Sequence, residues 1–480
     1  MKKLLLISLI ILFASTGCEE DIPLPPPPPP PPPILPPVVN KLPVAHAGND
    51  QTITLPISIA TLDGTKSYDS SGAQLSFQWK QISGAHSAIS FPTSVASAVT
   101  FFSDGIYHFE LTVSNSFGKS LDTVAVTVNL PVYCNVTRKS LSAGLNYLTS
   151  LPAPHDEERR MIAYGNKLYF PVFAHEVMNI YDVSSGNWTS TPIPAGQIEG
   201  RSNMAIVAAG NKIFFAGGYH HDAWSGMPSN LVNIYDISTN TWSTSELSAA
   251  RGFIKAAVAG NKVLFAGGIN EEQRVYFKAV DIYDLQTNTW NKTEMKGTPR
   301  AVGAAVTAGN KIFFIAGYRG FVPSGPMWDV MGNPTNEIDI YDATSGQWTT
   351  TALQVTRDNF AAVPNGDKIY VAGGYTGLWP SYMIREVEVI DVHTLAKTNI
   401  CLSQSNAFNT QSVVSLNHLV AFFVGNHKLD VYNTVTGEWF NADLPASVGS
   451  NPQMAVLNGE IYFLDDPQPF TTAKLFKLKL

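Results

Sequence analysis

Apolar positions in the C-terminal three-quarters of the chain come in short runs cut by small and polar turns. Residues 213–216 are continuously apolar and stop at Gly217-Gly218. A polar and aromatic loop follows, then a second apolar run at 232–235, then Asp236, the turn Ser238-Thr239-Asn240 and Trp242. Runs this short, bounded by Gly, Asn and Asp, predict buried β-strands rather than helices. The same order recurs. Gly-Asn-Lys stands at Gly165, Gly210, Gly260 and Gly309, with Gly366-Asp367-Lys368 as a variant and weaker copies at Leu416-Asn417-His418 and Leu457-Asn458-Gly459. The second run tracks it: Ile180-Tyr181-Asp182, Ile234-Tyr235-Asp236, Ile282-Tyr283-Asp284, Ile340-Tyr341-Asp342, Ile390-Asp391 and Val431-Tyr432-Asn433. Trp188, Trp242, Trp290, Trp348 and Trp439 close five of these copies, and Lys397 takes that place in the other. A period of roughly 50 residues with several short strands per copy is the pattern of a β-propeller. A single four-stranded blade has two apolar faces, so the copies must stack into a closed ring.

The preceding segment is patterned differently. Apolar and polar residues alternate at 51–54, 75–79, 107–113 and 123–128, separated by Asp69-Ser70-Ser71-Gly72 and Asn115-Ser116-Phe117-Gly118. Period-two alternation between turn clusters predicts a small β-sandwich with one wet face per sheet. Ahead of it, residues 23–37 are nearly all proline, unbroken from Pro25 to Pro33. Proline fixes φ and lacks a donor, so this stretch is expected to be a stiff polyproline II spacer of roughly 45 Å. At the N-terminus, Lys2-Lys3 precede a ten-residue apolar run at 4–13, too short to span a bilayer, and Ala14-Ser15-Thr16-Gly17-Cys18 follows.

Four resemblances rest on these residues. The N-terminal run ending at Cys18 resembles a bacterial lipoprotein signal, which implies cleavage before Cys18 and lipid attachment to it. Glu19-Glu20-Asp21 resembles the acidic tag of surface-exported lipoproteins. Ala47-Gly48-Asn49-Asp50-Gln51, Leu62-Asp63-Gly64, Ser67-Tyr68-Asp69, Phe77-Gln78-Trp79, Gly105-Ile106-Tyr107-His108-Phe109 and Leu111-Thr112-Val113 resemble a PKD domain, with Trp79 as its core tryptophan. That resemblance implies a spacer or adhesion module. Asn49, Asp50 and Asp69 are the oxygen donors from which a calcium site in the PKD domain would be drawn, although Ser71 stands where a second aspartate is usual. The repeats resemble kelch repeats, with Gly217-Gly218, Gly267-Gly268 and Gly373-Gly374 as the diglycines and Ala316-Gly317 as a near match. The expected organisation is all-β: signal peptide 1–17, lipidated cysteine and polyproline linker 18–42, PKD-type β-sandwich 43–129, kelch-type β-propeller 134–480. Seven blades are expected, with residues 145–152 supplying the outer strand of the seventh; six is the alternative.

Composition narrows the function. The chain has 480 residues, 45% hydrophobic and 14% charged, with a formal charge of −7. An acidic balance without a Lys/Arg block argues against nucleic acid. Cys18, Cys134 and Cys401 are too few for a disulfide scaffold, although the last two could pair in an oxidising compartment. In a propeller, the loops joining strands two and three and those joining blades share one face. The former are long and aromatic here, with His221, Trp224, Trp328 and Trp379. Arg201, Arg251, Arg300 and Arg357 each stand nine residues before their repeat glycine. They are candidates for a cationic rim at the channel mouth, or else for struts tying each blade internally. The expected function is a cell-surface, outer-membrane lipoprotein that binds a glycan or surface protein on this face, monomeric and touching the membrane only through its lipid. The alternative is a carbohydrate-active enzyme, epimerase- or oxidase-like. No residue set singles out a catalytic or metal centre, and no cofactor is called for.

Overall fold

The computed structural model describes residues 41–55, 58–152, 160–194, 201–222, 225–320, 333–376, 383–405, 412–446, 448–449, 452–465 and 473–480. Cys18 and the polyproline run lie outside them.

Alternation in the N-terminal part folds into two facing sheets. One holds Gln51–Thr54, Gly118–Asn129, Gly105–Asn115 and Ser76–Ser83; the other holds Ile59–Asp63, Ala96–Phe101 and Ser87–Ile89. The strands of the second sheet carry fewer large apolar side chains, and their alternation is correspondingly harder to see in the sequence. Trp79 is buried between the sheets and its indole N–H donates to the Ser94 carbonyl at 3.1 Å. Phe101 packs edge-on against Tyr107 and Phe109 beside it.

The propeller consists of seven sheets among the described residues, six of four antiparallel strands and one that a fifth strand extends. Blade two is typical: Ala205–Ala209, Lys212–Ala216, Leu231–Asp236 and Thr241–Glu246, from the axis outward. Its first turn needs a left-handed residue, supplied by Gly210 at φ 59°. Asn417 and Asn458, the residues that weaken the motif in the last two copies, take the same conformation at φ 52° and 54°; asparagine tolerates that region better than other side chains. The first glycine of the diglycine is a close-approach site. A Cβ on Gly217 would lie 2.5 Å from the Arg251 carbonyl of the next blade.

Each outer-strand tryptophan rests on the tyrosine of strand three, as in Tyr235–Trp242 at 5.1 Å and Tyr432–Trp439 at 4.9 Å between ring centroids. The recurrent aspartates cap the outer turns: Asp182, Asp236, Asp284, Asp342 and Asp391 each accept backbone N–H groups two and three residues on. Those bonds favour the carboxylate and hold these carboxyls below their usual range. For Asp236, the largest cause is its bond from Lys212.

Apolar packing runs between blades, not within them. Seven clusters of buried side chains each join two neighbouring sheets, and the last joins blade seven (Tyr462, Leu464, Leu475) to blade one (Leu168, Phe170, Tyr181). The innermost strands follow one another round to their start, so the ring is closed. Closure uses the segment before the first repeat. Gly144–Ser150 pairs with Lys474–Lys479 as the fourth strand of blade seven. Just upstream, Arg138–Ser140 adds a fifth, parallel strand to blade six; these three residues carry no alternation that would reveal it.

The sandwich is joined to the ring at blade five. Cys134 and Cys401 are disulfide-bonded, with Cα atoms 4.9 Å apart. Ile384 of blade five is buried in the same apolar cluster as the sandwich core, and Arg385 lies 3.8 Å from Asp104.

Two outcomes are expected. Leu475→Ala, at a fully buried site in the closing sheet, should lower stability by about 2–5 kcal/mol, and amide exchange should quicken together in residues 144–150 and 474–479. The capping aspartates have depressed folded pKa values, so their contribution is present above the unfolded value of about 4 and lost as pH falls through the folded values. The urea midpoint should therefore drop steeply below about pH 4, and Asp236→Asn should flatten that drop.

Candidate functional site

The four repeat arginines are buried, not arrayed on an exposed rim. Arg201, Arg251, Arg300 and Arg357 are 0–2% exposed. Each donates to the carbonyl sixteen residues on, at the end of strand two: Gly217 at 3.0 Å, Gly267 at 2.8 Å, Ala316 at 3.0 Å and Gly373 at 3.1 Å. Each also meets an acidic or amide side chain on strand three. Arg251 pairs with Asp281 at 2.7 Å, Arg300 with Asp339 at 2.7 Å and Arg357 with Glu388 at 3.7 Å, while Arg201 donates to the Asn233 amide oxygen. The acceptors reach on to the loop entering their blade: Asp281 takes the Ser248 N–H, Asp339 the Gly297 N–H and Glu388 the Gln354 N–H. The arginines are internal struts, and the expectation of a ligand-facing cationic rim is corrected. The reason is visible in register: the acceptor position precedes the Ile-Tyr-Asp signal by one residue, where the chain reads Asn233, Asp281, Asp339 and, in the variant copy, Glu388. Arg201 faces an amide instead of a carboxylate, and burial pushes its guanidinium down to about 10.

The struts position what lies next to them. Two residues beyond the arginine, Asn203, Phe253 and Asn359 are all left-handed, at φ 54°, 53° and 50°. For a bulky aromatic such as Phe253 this conformation is uncommon and costs about 1–3 kcal/mol. It turns the chain into the innermost strand at the channel mouth, and the Phe253 N–H bonds to the Asn203 carbonyl of the blade before at 3.0 Å. Loops between strands two and three fold over the same end. Tyr219–Asp222 and Ser225–Pro228 form a hairpin that also pairs with Arg201–Ser202, and Ile269–Asn270 pairs with Val275–Tyr276. An aromatic wall results. Phe253 lies 5.9 Å from Tyr219 and 6.0 Å from Tyr318, which lies 6.1 Å from Tyr276. The Tyr219 hydroxyl donates to the Ile269 carbonyl at 2.6 Å.

Behind this wall a cavity of about 450 Å³ enters the channel, lined by Arg160, Asn203, Phe253, Lys255 and the small side chains of the innermost strands. Lys255 keeps part of its surface open to the cavity, but the ring surrounds it. Burial pushes its amine down to about 8; the Arg160 charge adds to this and Asp358 opposes it. Asp358 is itself raised by burial. Tyr318 is raised too, by burial first and then by Asp358, Tyr276 and Glu271 nearby. Sequence inspection passed over Lys255 and Asp358 because it sought what the repeats share. The signal was in the differences: Lys255 stands where other copies have Ala205, Ala304 and Ala361, and Asp358 where they have Ser202, Gly252 and Ala301.

The remaining sequence candidates are placed as follows. Trp224, Trp328 and Trp379 lie outside the described residues. The backbone of His221 is in the Tyr219–Asp222 strand, and its side chain lies outside the description. Of the calcium candidates, Asp50 accepts the Ala125 N–H at 2.8 Å, and Asp69 accepts Ser71 N–H at 2.7 Å and the Asn115 amide at 2.5 Å. These carboxylates serve as separate turn and strand ties, and the bonds from Ser71 and Asn115 hold Asp69 down to about 2. Cys134, Glu386 and Cys401 bring metal-ligating atoms within 4.8 Å of one another; both sulfurs are engaged in the disulfide, which removes them as thiolate ligands.

Comparison with known proteins supports the two-part architecture. Residues 156–317 match the family described as KLHDC2/KLHL20/DRC7 Kelch-repeats domain, and residues 47–128 match the family of KIAA0319-like PKD domains. The chain is therefore a PKD β-sandwich followed by kelch repeats. It is 39% identical over 92 residues to the dyslexia-associated protein KIAA0319 homolog of Mus musculus, covering 18% of this chain and 8% of that protein. It is 37% identical over 98 residues to the dyslexia-associated protein KIAA0319 of Homo sapiens, covering 20% and 9%. The matched stretch is thus under a tenth of either relative's length. A solved structure titled "Structure of YjhT" aligns with 68% of this chain and 99% of its own, at 14% identity and a TM-score of 0.44.

A strut and a ligand contact respond differently to removal. Arg251→Ala leaves Asp281 buried without its partner and should cost about 3–5 kcal/mol of stability in urea unfolding. Arg251→Met combined with Asp281→Leu should recover much of that loss. A ligand-facing arginine would leave the unfolding curve unmoved.

Proposed function

We propose that this chain is a cell-surface, outer-membrane lipoprotein, anchored through Cys18, whose propeller binds a glycan or protein at the channel mouth. The observation that carries the reading is the cavity at the end where the blade-joining and two-to-three loops converge, walled by Phe253 and Asn203 and backed by Tyr318. Aromatic faces beside a polar cavity suit the alternating CH and OH faces of a sugar ring, or an aromatic-bearing peptide. Strain at Phe253 points the same way, because a left-handed aromatic persists only where the surrounding fold holds it. Trp224, Trp328 and Trp379, in the same loops of the sequence, are the further contacts expected. The sandwich, tied to blade five by the disulfide and by Ile384, would hold this face at a set orientation beyond the polyproline spacer.

One observation favours the enzymatic alternative. Lys255 and Asp358 are both shifted toward their uncharged forms inside the ring, which is how acid–base groups are tuned in active sites.

Binding of the full chain to a glycan array should fall at least tenfold in Phe253→Ala and in Trp224→Ala with an unchanged Tm. Undiminished binding in both sinks the assignment of this face, and turnover of a sugar without stable retention favours the enzyme. A clean array with capture of an outer-membrane protein selects a protein ligand. Cys18→Ala should release the protein from the membrane fraction; retention there would remove the lipid anchor from the reading.

A further inference from the structure

Lys255 is the one lysine lining the channel cavity among the described residues. Its neighbours round the wall are Ala205, Ala256, Ala304, Ala305 and Ala362. These small side chains leave room beside the amine for a reacting group. The charged groups facing it are Arg160 from blade one and Asp358 from blade five; beyond Asp358, at the mouth, are Tyr318, Tyr276, Tyr219 and Glu271. Arginine repulsion and burial both disfavour the ammonium form, so about a tenth of the amine is free base at pH 7 when its midpoint is near 8. An uncharged amine lining a cavity is a nucleophile toward carbonyl carbon.

Building on the reading of the channel mouth as a ligand site, we propose that Lys255 forms a reversible imine with an aldehyde- or ketone-bearing ligand in the channel, such as the open-chain form of a reducing sugar. The lone pair of Nζ forms the N–C bond while the carbonyl π pair moves to oxygen. Nitrogen then loses a proton and oxygen gains one, which gives a carbinolamine. Protonation of the hydroxyl lets it leave as water, the nitrogen pair forms C=N, and hydrolysis reverses every step. No oxidant or reductant takes part. Asp358, the carboxyl whose charge reaches Lys255 from the mouth of the channel, is the acid for loss of water.

The test is reductive trapping of the full chain with glycolaldehyde and sodium cyanoborohydride, with peptides mapped by mass spectrometry. Lys255 should be alkylated at least tenfold faster than the exposed Lys66 and Lys119, with a pH midpoint near 8, well below that of an ordinary lysine. Asp358→Asn should slow adduct formation at Lys255 and leave Lys66 unchanged. Alkylation of Lys255 no faster than Lys66, or with an ordinary midpoint, overturns the imine. That comparison is internal to the unmodified protein and does not depend on a variant folding. If Lys255 is inert while Phe253→Ala still abolishes array binding, the ligand face stands and the imine falls; if neither responds, both fall.

Discussion

Each blade presents two apolar faces and can cover them only with its neighbours. That constraint organises the ring. It explains why the buried clusters straddle adjacent sheets instead of filling single ones, and why the first and last copies must meet. A gap would expose Leu464 and Leu475 on one side and Leu168 and Phe170 on the other. Burial of such side chains is worth roughly 1.5–3 kcal/mol each. The segment at Gly144–Ser150 therefore does more than lead into the repeats: it completes the sheet whose own copy brings three strands, and couples the two ends of the ring by backbone hydrogen bonds.

Within that ring, sameness and difference carry separate information. A feature that recurs at every repeat position must serve the blade, because each copy occupies an equivalent place. The arginines obey this. A guanidinium has enough donors to hold the end of strand two, the side chain of strand three and the incoming loop together, and a buried charge is tolerated because Asp281, Asp339 or Glu388 answers it. Other residues, by contrast, break the symmetry. Lys255, Asp358 and Phe253 depart from the residues at their equivalent positions; Asp358 and Phe253 sit on the turn just beyond a strut, and Lys255 opens the innermost strand that follows it. The rigid part of the blade thus places Phe253 and Lys255 on the wall of the channel cavity.

The sandwich adds a second constraint. A polyproline run and a PKD module in series would read as a chain of spacers, yet the disulfide from Cys134 to Cys401, the insertion of Ile384 into the sandwich cluster and the strand at Arg138–Ser140 spread the connection over blades five and six. Tyr133, next to the disulfide cysteine, is half-buried, and burial and the Glu386 carboxylate push its hydroxyl up to about 12. Orientation of the propeller relative to the sandwich is then set by this packing.

Repeat period, strand runs, capping aspartates, outer tryptophans and the closing strand were all legible in the sequence, because each follows from local patterning repeated down the chain. The PKD motifs were legible for the same reason, in order along a short segment. The arginines were visible, but not their direction. Register alone decides whether a side chain points to a neighbouring strand or to solvent, and Asn233, Asp281, Asp339 and Glu388 become partners only once strands two and three pair. Lys255 and Asp358 were harder still. They come from blades three and five, far apart along the chain, and only closure of the ring brings the Asp358 charge to bear on the Lys255 amine at the channel cavity.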